Sequence, residues 1–233
     1  DQVKKDKVFF TEGLAYKFHP FFLEILSVIK KINPKDIVSI KSSFGNDVIG
    51  GKKIFGFRFK KPKKTKRLFN PDLGGGAIWD TGCYPVSAIT YITSALYGNQ
   101  NINPKILEIS KEIGSTGVDE YSYIKLQFNE ITAQIETSIK KLLKNNIEIE
   151  MKNGKITITN PWFPENESYI EIFIDGKKKI IKSTNQIDSY KNQIENISNL
   201  LINENLECKS PLPNFNDIYQ NTVLLEKWFE FDK

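Results

Sequence analysis

The sequence predicts an α+β protein built on an open, mainly antiparallel β-sheet with helices on one face. Apolar residues recur at helical spacing near both ends of the chain and with a period of two through its middle. The pairs Asn153-Gly154 and Asp175-Gly176 are typical of tight hairpin turns, which join antiparallel strands. Because such a sheet has a second face, we expect a subunit partner or a further domain to cover it.

The first half of the chain alternates helices with β-structure. Apolar residues at near-helical spacing predict a first helix that Asn33-Pro34 ends. Two β-segments follow, joined by a glycine-bearing connection that is typical of a hairpin or a longer β excursion. A glycine trio then leads into a second apolar-periodic stretch, which Gly98 ends. The predicted elements are helices over residues 21–32 and 77–97, strands over 37–42 and 55–59, and a basic loop over 60–67.

The second half of the chain is predicted to be a β-meander followed by two helices. Alternating apolar residues indicate strands, and a Ser-Pro-Leu-Pro segment separates the two helical stretches of the tail. The predicted strands cover residues 121–128, 131–139, 147–151, 156–159, 170–174 and 179–182, and the helices cover 189–203 and 217–231.

Composition bounds the function classes. The 233 residues, 39% of them hydrophobic and 26% charged, are enough for one domain over residues 1–233. Neither a bilayer-spanning apolar run nor a signal peptide is recognisable, so we expect a cytoplasmic protein that does not contact membranes. Two cysteines make no disulfide framework, and the single histidine, His19, excludes a multi-histidine zinc site. No metal is expected.

The basic run at residues 60–67 has two interpretations. Clustered lysines can bind nucleic acid, but such runs are more often solvated loops, and this one lacks interleaved aromatic residues. The net charge of +5 is too small to decide between the two. We therefore expect no nucleic-acid partner.

The segment GGGAIWDTGCYP at residues 74–85 carries the most chemistry. In a continuous helix, Asp80 and Tyr84 lie four residues apart on one face, and the preceding glycines let the backbone approach a flat ligand. A carboxylate beside a phenol suits proton transfer. Equally, Asp80 could complement the helix dipole while Tyr84 packs in the core. Pro85 disfavours helical geometry at Tyr84, so it bends the helix or marks its true start.

Four segments resemble one oxidoreductase family. They are TEGLAYKFHP at residues 11–20, LGGGAIWDTGCYP at 73–85, GVDE at 117–120, and the Ser-Pro-led final helix over 210–225. In this order they are similar to the glucose-fructose oxidoreductase and inositol dehydrogenase (Gfo/Idh/MocA) family. The resemblance implies a C-terminal domain of the glyceraldehyde-3-phosphate dehydrogenase type, which follows a Rossmann domain that binds NAD or NADP.

The resemblance also implies site residues. Tyr84 takes the acid/base position, as in the tyrosine-bearing branch of sugar oxidoreductases and dihydrodiol dehydrogenases, and Asp80 orients substrate hydroxyls. Lys17, which stands where arginine is usual, and His19 match positions on the substrate side. Arg67 precedes the glycine trio as an arginine does in the family, and it is either a contact for substrate or cofactor or a surface arginine. Trp79 is a core or interface aromatic or a wall for a sugar ring, and Gly75 and Gly76 are expected near the nicotinamide.

The chain is expected to be one half of an enzyme. It shows no counterpart of the family's catalytic lysine and no GxGxxG turn for a dinucleotide, so residues 1–13 would form the junction with a missing Rossmann domain. We expect hydride transfer between nicotinamide and a sugar- or polyol-like substrate, a homo-oligomer that forms through the open sheet, and little activity of this chain alone. The alternative is a non-catalytic dimerising or sugar-binding module.

Overall fold

A computed structural model describes residues 2–50, 53–54, 57–58, 62–98, 103–164, 167–183 and 188–231. The helices are α1 (Gln2–Asp6), α2 (Pro20–Ile29), α3 (Ala77–Asp80), α4 (Cys83–Leu96), α5 (Ser189–Ile202) and α6 (Phe215–Glu230). The strands of the first half are β1 (Ile37–Gly45), β2 (Lys53–Ile54) and β3 (Phe57–Arg58). Those of the second half are β4 (Lys105–Ile113), β5 (Asp119–Phe128), β6 (Ile131–Ser138), β7 (Asn146–Met151), β8 (Gly154–Thr159), β9 (Tyr169–Ile174) and β10 (Lys177–Lys182).

Eight strands form one sheet, in the order β10-β9-β8-β7-β1-β6-β5-β4. Neighbouring strands are antiparallel except for β1 and β6, which run parallel, with Ile40 opposite Ala133. On its other side β1 pairs antiparallel with β7, where Ile40 faces Ile149. The predicted open and mainly antiparallel sheet is therefore confirmed, with one parallel contact at its centre.

The core lies between the sheet and the helices. Alternate residues of β5, β6, β7 and β8 are buried, whereas β4 and β10 contribute no buried residue. Helix α4 packs on β1 and β6, while α2 and α6 pack on α4. Removal of these aliphatic side chains from water is the main favourable term for the fold, at roughly 25 cal/mol for each Å² of apolar surface. Residues that alternate with the core, such as Lys41, Lys125 and Gln134, are polar and partly or fully exposed, so the sheet has a second, polar face.

The predicted continuous helix over residues 77–97 is wrong. The chain forms α3 and α4 instead, with Thr81 and Gly82 between them. A Cβ atom on Gly82 would lie 2.5 Å from the carbonyl oxygen of Ile78, so the tight break requires glycine. Pro85 occupies the third position of α4, where its missing N–H costs no hydrogen bond. Asp80 and Tyr84 therefore lie on different helices.

Strand β4 was not predicted, and one of the two predicted hairpin turns differs in detail. The pairing of β4 with β5 shifts register twice, which interrupts the alternation of apolar residues that identifies a strand. Asp175 and Gly176 have the expected positive φ values of 50° and 73°. Gly154 instead lies within β8, where a Cβ atom would approach the carbonyl oxygen of Phe173 to 2.0 Å.

Two other predicted elements differ in extent. The helix predicted over residues 21–32 ends earlier, at Ile29. The predicted strand 55–59 and the basic run 60–67 lie partly outside the described residues. Of the strand, residues 57–58 are described and form β3, which pairs with β2. Of the basic run, residues 62–67 are described and contain no strand.

Candidate active site

A glycine turn fixes the start of α3. Gly76 has a φ of 112°, and a Cβ atom there would lie 2.1 Å from Oδ1 of Asp119. A Cβ atom on Gly75 would lie 2.6 Å from the carbonyl oxygens of Arg67 and Leu68. Both glycines are buried. Packing within the chain therefore accounts for them, and their contact with a nicotinamide stays a prediction.

Asp119 holds this turn from the neighbouring strand. Its Oδ2 atom accepts a hydrogen bond of 2.8 Å from the backbone N–H of Ile78. Burial raises the pKa of the Asp119 carboxyl to about 6, although this hydrogen bond and the positive charge of Lys111 act in the opposite direction. The side chain thus supports the short helix that carries Asp80.

Arg67 and Asp80 form a salt bridge at the surface. The guanidinium of Arg67 donates to the Asp80 carboxylate, and a second nitrogen lies 3.4 Å from the carbonyl oxygen of Gly74. The two side chains are 57% and 28% exposed. Both therefore remain accessible to a ligand while each restricts the rotamers of the other.

Tyr84, in the first turn of α4, is surrounded by aromatic rings. Its ring centroid lies 5.1 Å from Phe44, 6.0 Å from Phe163, 6.1 Å from Tyr16 and 6.2 Å from Trp162. Desolvation raises the pKa of the Tyr84 phenol to about 12, with smaller contributions from nearby groups that include Asp80. The phenol is therefore protonated at neutral pH and close enough to Asp80 to be affected by its charge.

Hydrogen bonds hold the backbone of this turn. The hydroxyl of Ser87 donates to the carbonyl oxygen of Tyr84 at 2.9 Å and lies 2.7 Å from the hydroxyl of Tyr16. The indole N–H of Trp162 donates to the carbonyl oxygen of Ser43 at 3.1 Å. These bonds lock the rings behind Tyr84, so the phenol has a defined position at the edge of the core.

A sequence model described as the GFO/IDH/MocA C-terminal domain matches residues 36–157, which is more than half of the chain. The chain belongs to the GFO/IDH/MocA family. The matched region includes the glycine turn, α3, the start of α4 and Asp119.

Oxidoreductases are among the relatives and solved structures that this chain resembles. A trans-1,2-dihydrobenzene-1,2-diol dehydrogenase from Xenopus tropicalis is 26% identical over 178 residues, which are 76% of this chain and 46% of that protein. A D-xylose 1-dehydrogenase (NADP(+)) from Haloferax volcanii is 23% identical, over 79% of this chain and 51% of the relative. The chain thus spans about half the length of these relatives.

Solved structures share the fold of this GFO/IDH/MocA domain. The 3-ketoreductase KijD10 from Actinomadura kijaniata, crystallised with NADP and TDP-benzene, superposes with a TM-score of 0.74 at 16% identity, over 96% of this chain and 62% of that one. An aldose-aldose oxidoreductase from Caulobacter crescentus, complexed with glycerol, gives 0.73 at 14% identity, over 97% and 62%. These similarities confirm the predicted fold class.

Lys17 and His19, which precede the region matched by the family model, are both buried. The ammonium of Lys17, 1% exposed, lies 4.7 Å from the centre of the Tyr91 ring. Burial lowers its pKa, which the nearby carboxylates of Asp217 and Glu12 partly oppose. The Nδ1 atom of His19 accepts the N–H of Phe21 at 3.1 Å and caps α2. Substrate contact by either residue stays a prediction, and it would require this packing to open.

Trp79 packs away from the aromatic cluster of Tyr84. Its ring lies 5.8 Å from that of Phe229 in α6. The rings that border Tyr84 come from the end of β1, from the turn at residues 160–164 and from the helical turn at residues 15–18. The sequence offered signals for them only in the motif Pro-Trp-Phe-Pro and in the segment TEGLAYKFHP, which contains Tyr16. A role for Trp79 in walling a sugar ring stays a prediction.

Within the ranges that the structure describes, no cluster of three or more histidine, cysteine or acidic side chains could hold a metal ion. In the same ranges, no helix is both long and apolar enough to cross a bilayer.

Proposed function

We propose that this chain supplies the substrate-binding half of an NAD(P)-dependent oxidoreductase that acts on a hydroxyl or carbonyl group of a sugar- or polyol-like molecule. The observation that carries the proposal is the Tyr84 phenol, which is fixed at the edge of an aromatic cluster and follows Asp80 by four residues in the same glycine-led motif. The names of the relatives support the substrate class, since they include dehydrogenases of a cyclic diol and of a sugar.

Tyr84 exchanges the proton of the reacting hydroxyl. When carbonyl is reduced, the neutral phenol donates its proton to the oxygen that becomes the hydroxyl group, and in the reverse direction the phenolate accepts it. A pKa of about 12 suits the donor form at neutral pH. For oxidation, a positive charge beside the phenol would have to lower this pKa, and the catalytic lysine implied by the family resemblance would supply it.

Asp80 and Arg67 orient the substrate. The Asp80 carboxylate accepts hydrogen bonds from vicinal hydroxyls, while Arg67 holds the carboxylate in place and offers free N–H groups of its own. Asp119 and the two buried glycines do not touch the substrate in this proposal. They fix the helix from which Asp80 projects.

The nicotinamide, when bound, supplies or accepts the hydride. Most of the dinucleotide would be held by a Rossmann domain outside this chain, because the chain lacks a GxGxxG turn and aligns with only about half the length of its relatives. Whether that cofactor is NAD or NADP would be decided by residues of that domain.

The test is a Tyr84→Phe substitution in the full-length enzyme. We expect kcat to fall at least about a hundredfold for every sugar or polyol that the parent enzyme accepts, because general acid–base catalysis is worth that much. Ser87→Ala, which removes the bond to the Tyr84 carbonyl, serves as a milder control. Unchanged turnover by Tyr84→Phe would show that the acid/base assignment is wrong.

The open face of the sheet is proposed as the surface through which the protein forms homo-oligomers. It contains a recess of about 380 Å³ between Lys41, Gln134 and Glu148, beside Leu142, whose side chain is 71% exposed. Leu142→Glu is expected to shift the mass measured by light scattering towards the monomer, because it places a charge in this interface. The control Leu201→Glu, on α5, should leave the mass unchanged. A monomeric parent protein would contradict the proposal.

A further inference from the structure

Phe163 is the exposed member of the aromatic cluster around Tyr84. Tyr16, Phe44 and Trp162 are each less than 5% exposed, whereas Phe163 is 37% exposed and Tyr84 is partly exposed. The surface of the cluster that an approaching molecule meets is therefore formed by two rings, the phenyl of Phe163 and the phenol of Tyr84, whose centroids are 6.0 Å apart.

Hydrogen bonds hold the described turn at residues 160–164, which carries Phe163. Asn160 has a φ of 43°, and its side-chain amide donates to the carbonyl oxygen of Phe163 at 2.8 Å. The carbonyl oxygen of Asn160 in turn accepts a 3.3 Å hydrogen bond from Ser168. Trp162 is anchored to β1, and prolines stand on both sides of the Trp-Phe pair. An apolar ring held at the surface in this way is already ordered before a ligand arrives, which lowers the entropy cost of binding.

We infer that Phe163 is a specificity-determining residue, which packs against the apolar face of a cyclic substrate while a hydroxyl of that ring reaches Tyr84. A planar phenyl ring contacts the C–H face of a sugar or an alicyclic ring over a larger area than it contacts an open-chain polyol. The inference rests on the proposed function, and it narrows the substrate class from polyols in general to ring-shaped diols and sugars.

Different residues at this site recognise the hydroxyl groups of a substrate and the shape of its carbon skeleton. Tyr84 and Asp80 provide groups that recognise hydroxyls, which cyclic and open-chain polyols share. The Phe163 side chain forms no hydrogen bonds with hydroxyls, so it favours cyclic over open-chain substrates by their shape alone and does not affect the proton transfer. Its removal should therefore raise KM for cyclic substrates and leave kcat nearly unchanged.

The experiment compares Phe163→Ala with Phe163→Tyr, which keeps the ring. Two substrate pairs are used: D-xylose with xylitol, and trans-cyclohexanediol with a linear hexanediol. In the full-length enzyme, we expect Phe163→Ala to raise KM for the cyclic members about tenfold and for the linear members less than about twofold. Phe163→Tyr should restore the parent values. The control is Phe173→Ala, which removes a phenyl ring that is 46% exposed on β9 and should change neither KM.

A second measurement does not depend on turnover. Saturation-transfer NMR on this chain detects binding of the same four compounds to the parent, to Phe163→Ala and to Phe163→Tyr. If the parent enzyme turns over cyclic substrates and Phe163→Ala keeps its selectivity, the role of Phe163 is overturned and the proposed function stands. If rings bind in a Phe163-dependent way but nothing is turned over, the proposed function fails and the ring subsite stands. If no cyclic compound binds to the parent, the subsite is overturned.

Discussion

The buried carboxyl of Asp119 should make the stability of this domain depend on pH. Burial raises its pKa from the usual 3.8 to about 6, so the folded protein holds this proton more tightly than the unfolded chain does. The stabilising effect is fully present below about pH 4 and is lost as the pH rises through about 6. A difference of about two pKa units corresponds to about 3 kcal/mol of unfolding free energy.

Asp119→Asn isolates this effect. The amide oxygen can still accept the N–H of Ile78, but the side chain cannot ionise. Urea unfolding of both proteins at several pH values between about 4 and 7 gives the two stability profiles. Other buried carboxyls, such as those of Glu12 and Asp217, contribute equally to both and cancel in the difference. The difference should change by about 3 kcal/mol across this range, in favour of the variant at higher pH. Parallel profiles would refute the reasoning.

Two further substitutions test the packing beside the site. Lys17→Met should lower the unfolding free energy by about 1 kcal/mol near neutral pH, because it removes the nearby cation that favours the charged forms of Glu12 and Asp217. The loss should shrink at about pH 5, where these carboxyls, with pKa values raised by burial, are more readily protonated; a loss independent of pH would contradict this account. Gly76→Ala should cost at least about 2 kcal/mol in urea unfolding, because its Cβ meets Asp119. Gly74→Ala has open space and should cost about 1 kcal/mol, so equal losses would argue against the clash.

The sequence predicted the class of fold because the periodicity of its strands and helices is regular. It missed β4, where bulges interrupt the alternation, and the break between α3 and α4. At that break the deciding factor is the close approach of Gly82 to the carbonyl oxygen of Ile78. Contacts of this kind depend on the folded backbone, so they cannot be predicted from a pattern of apolar residues.

The candidate site also combines residues that the sequence could predict with residues that only the folded structure brings together. The motif around Asp80 and Tyr84 could be found from residue types and from the family resemblance. The aromatic cluster could not, because Phe44 and Phe163 are separated from Tyr84 by 40 and 79 residues and meet it only after the sheet has formed. Lys17 and His19 look like ligand-binding residues in the sequence, while their burial depends on how α2 and α6 pack.

The placement of β1 at the centre of the sheet has a consequence for folding. The strands β4 to β6 and the strands β7 to β10 are two local meanders that do not pair with each other and are joined only through β1. Each meander can form from near neighbours in sequence, but the seam between them closes only when β1, from the first fifth of the chain, inserts between them. Phe44 and the carbonyl group that anchors Trp162 both belong to this strand. The surroundings of Tyr84 therefore assemble in the same late step that unites the two halves of the sheet, and recovery of activity during refolding should report on closure of that seam.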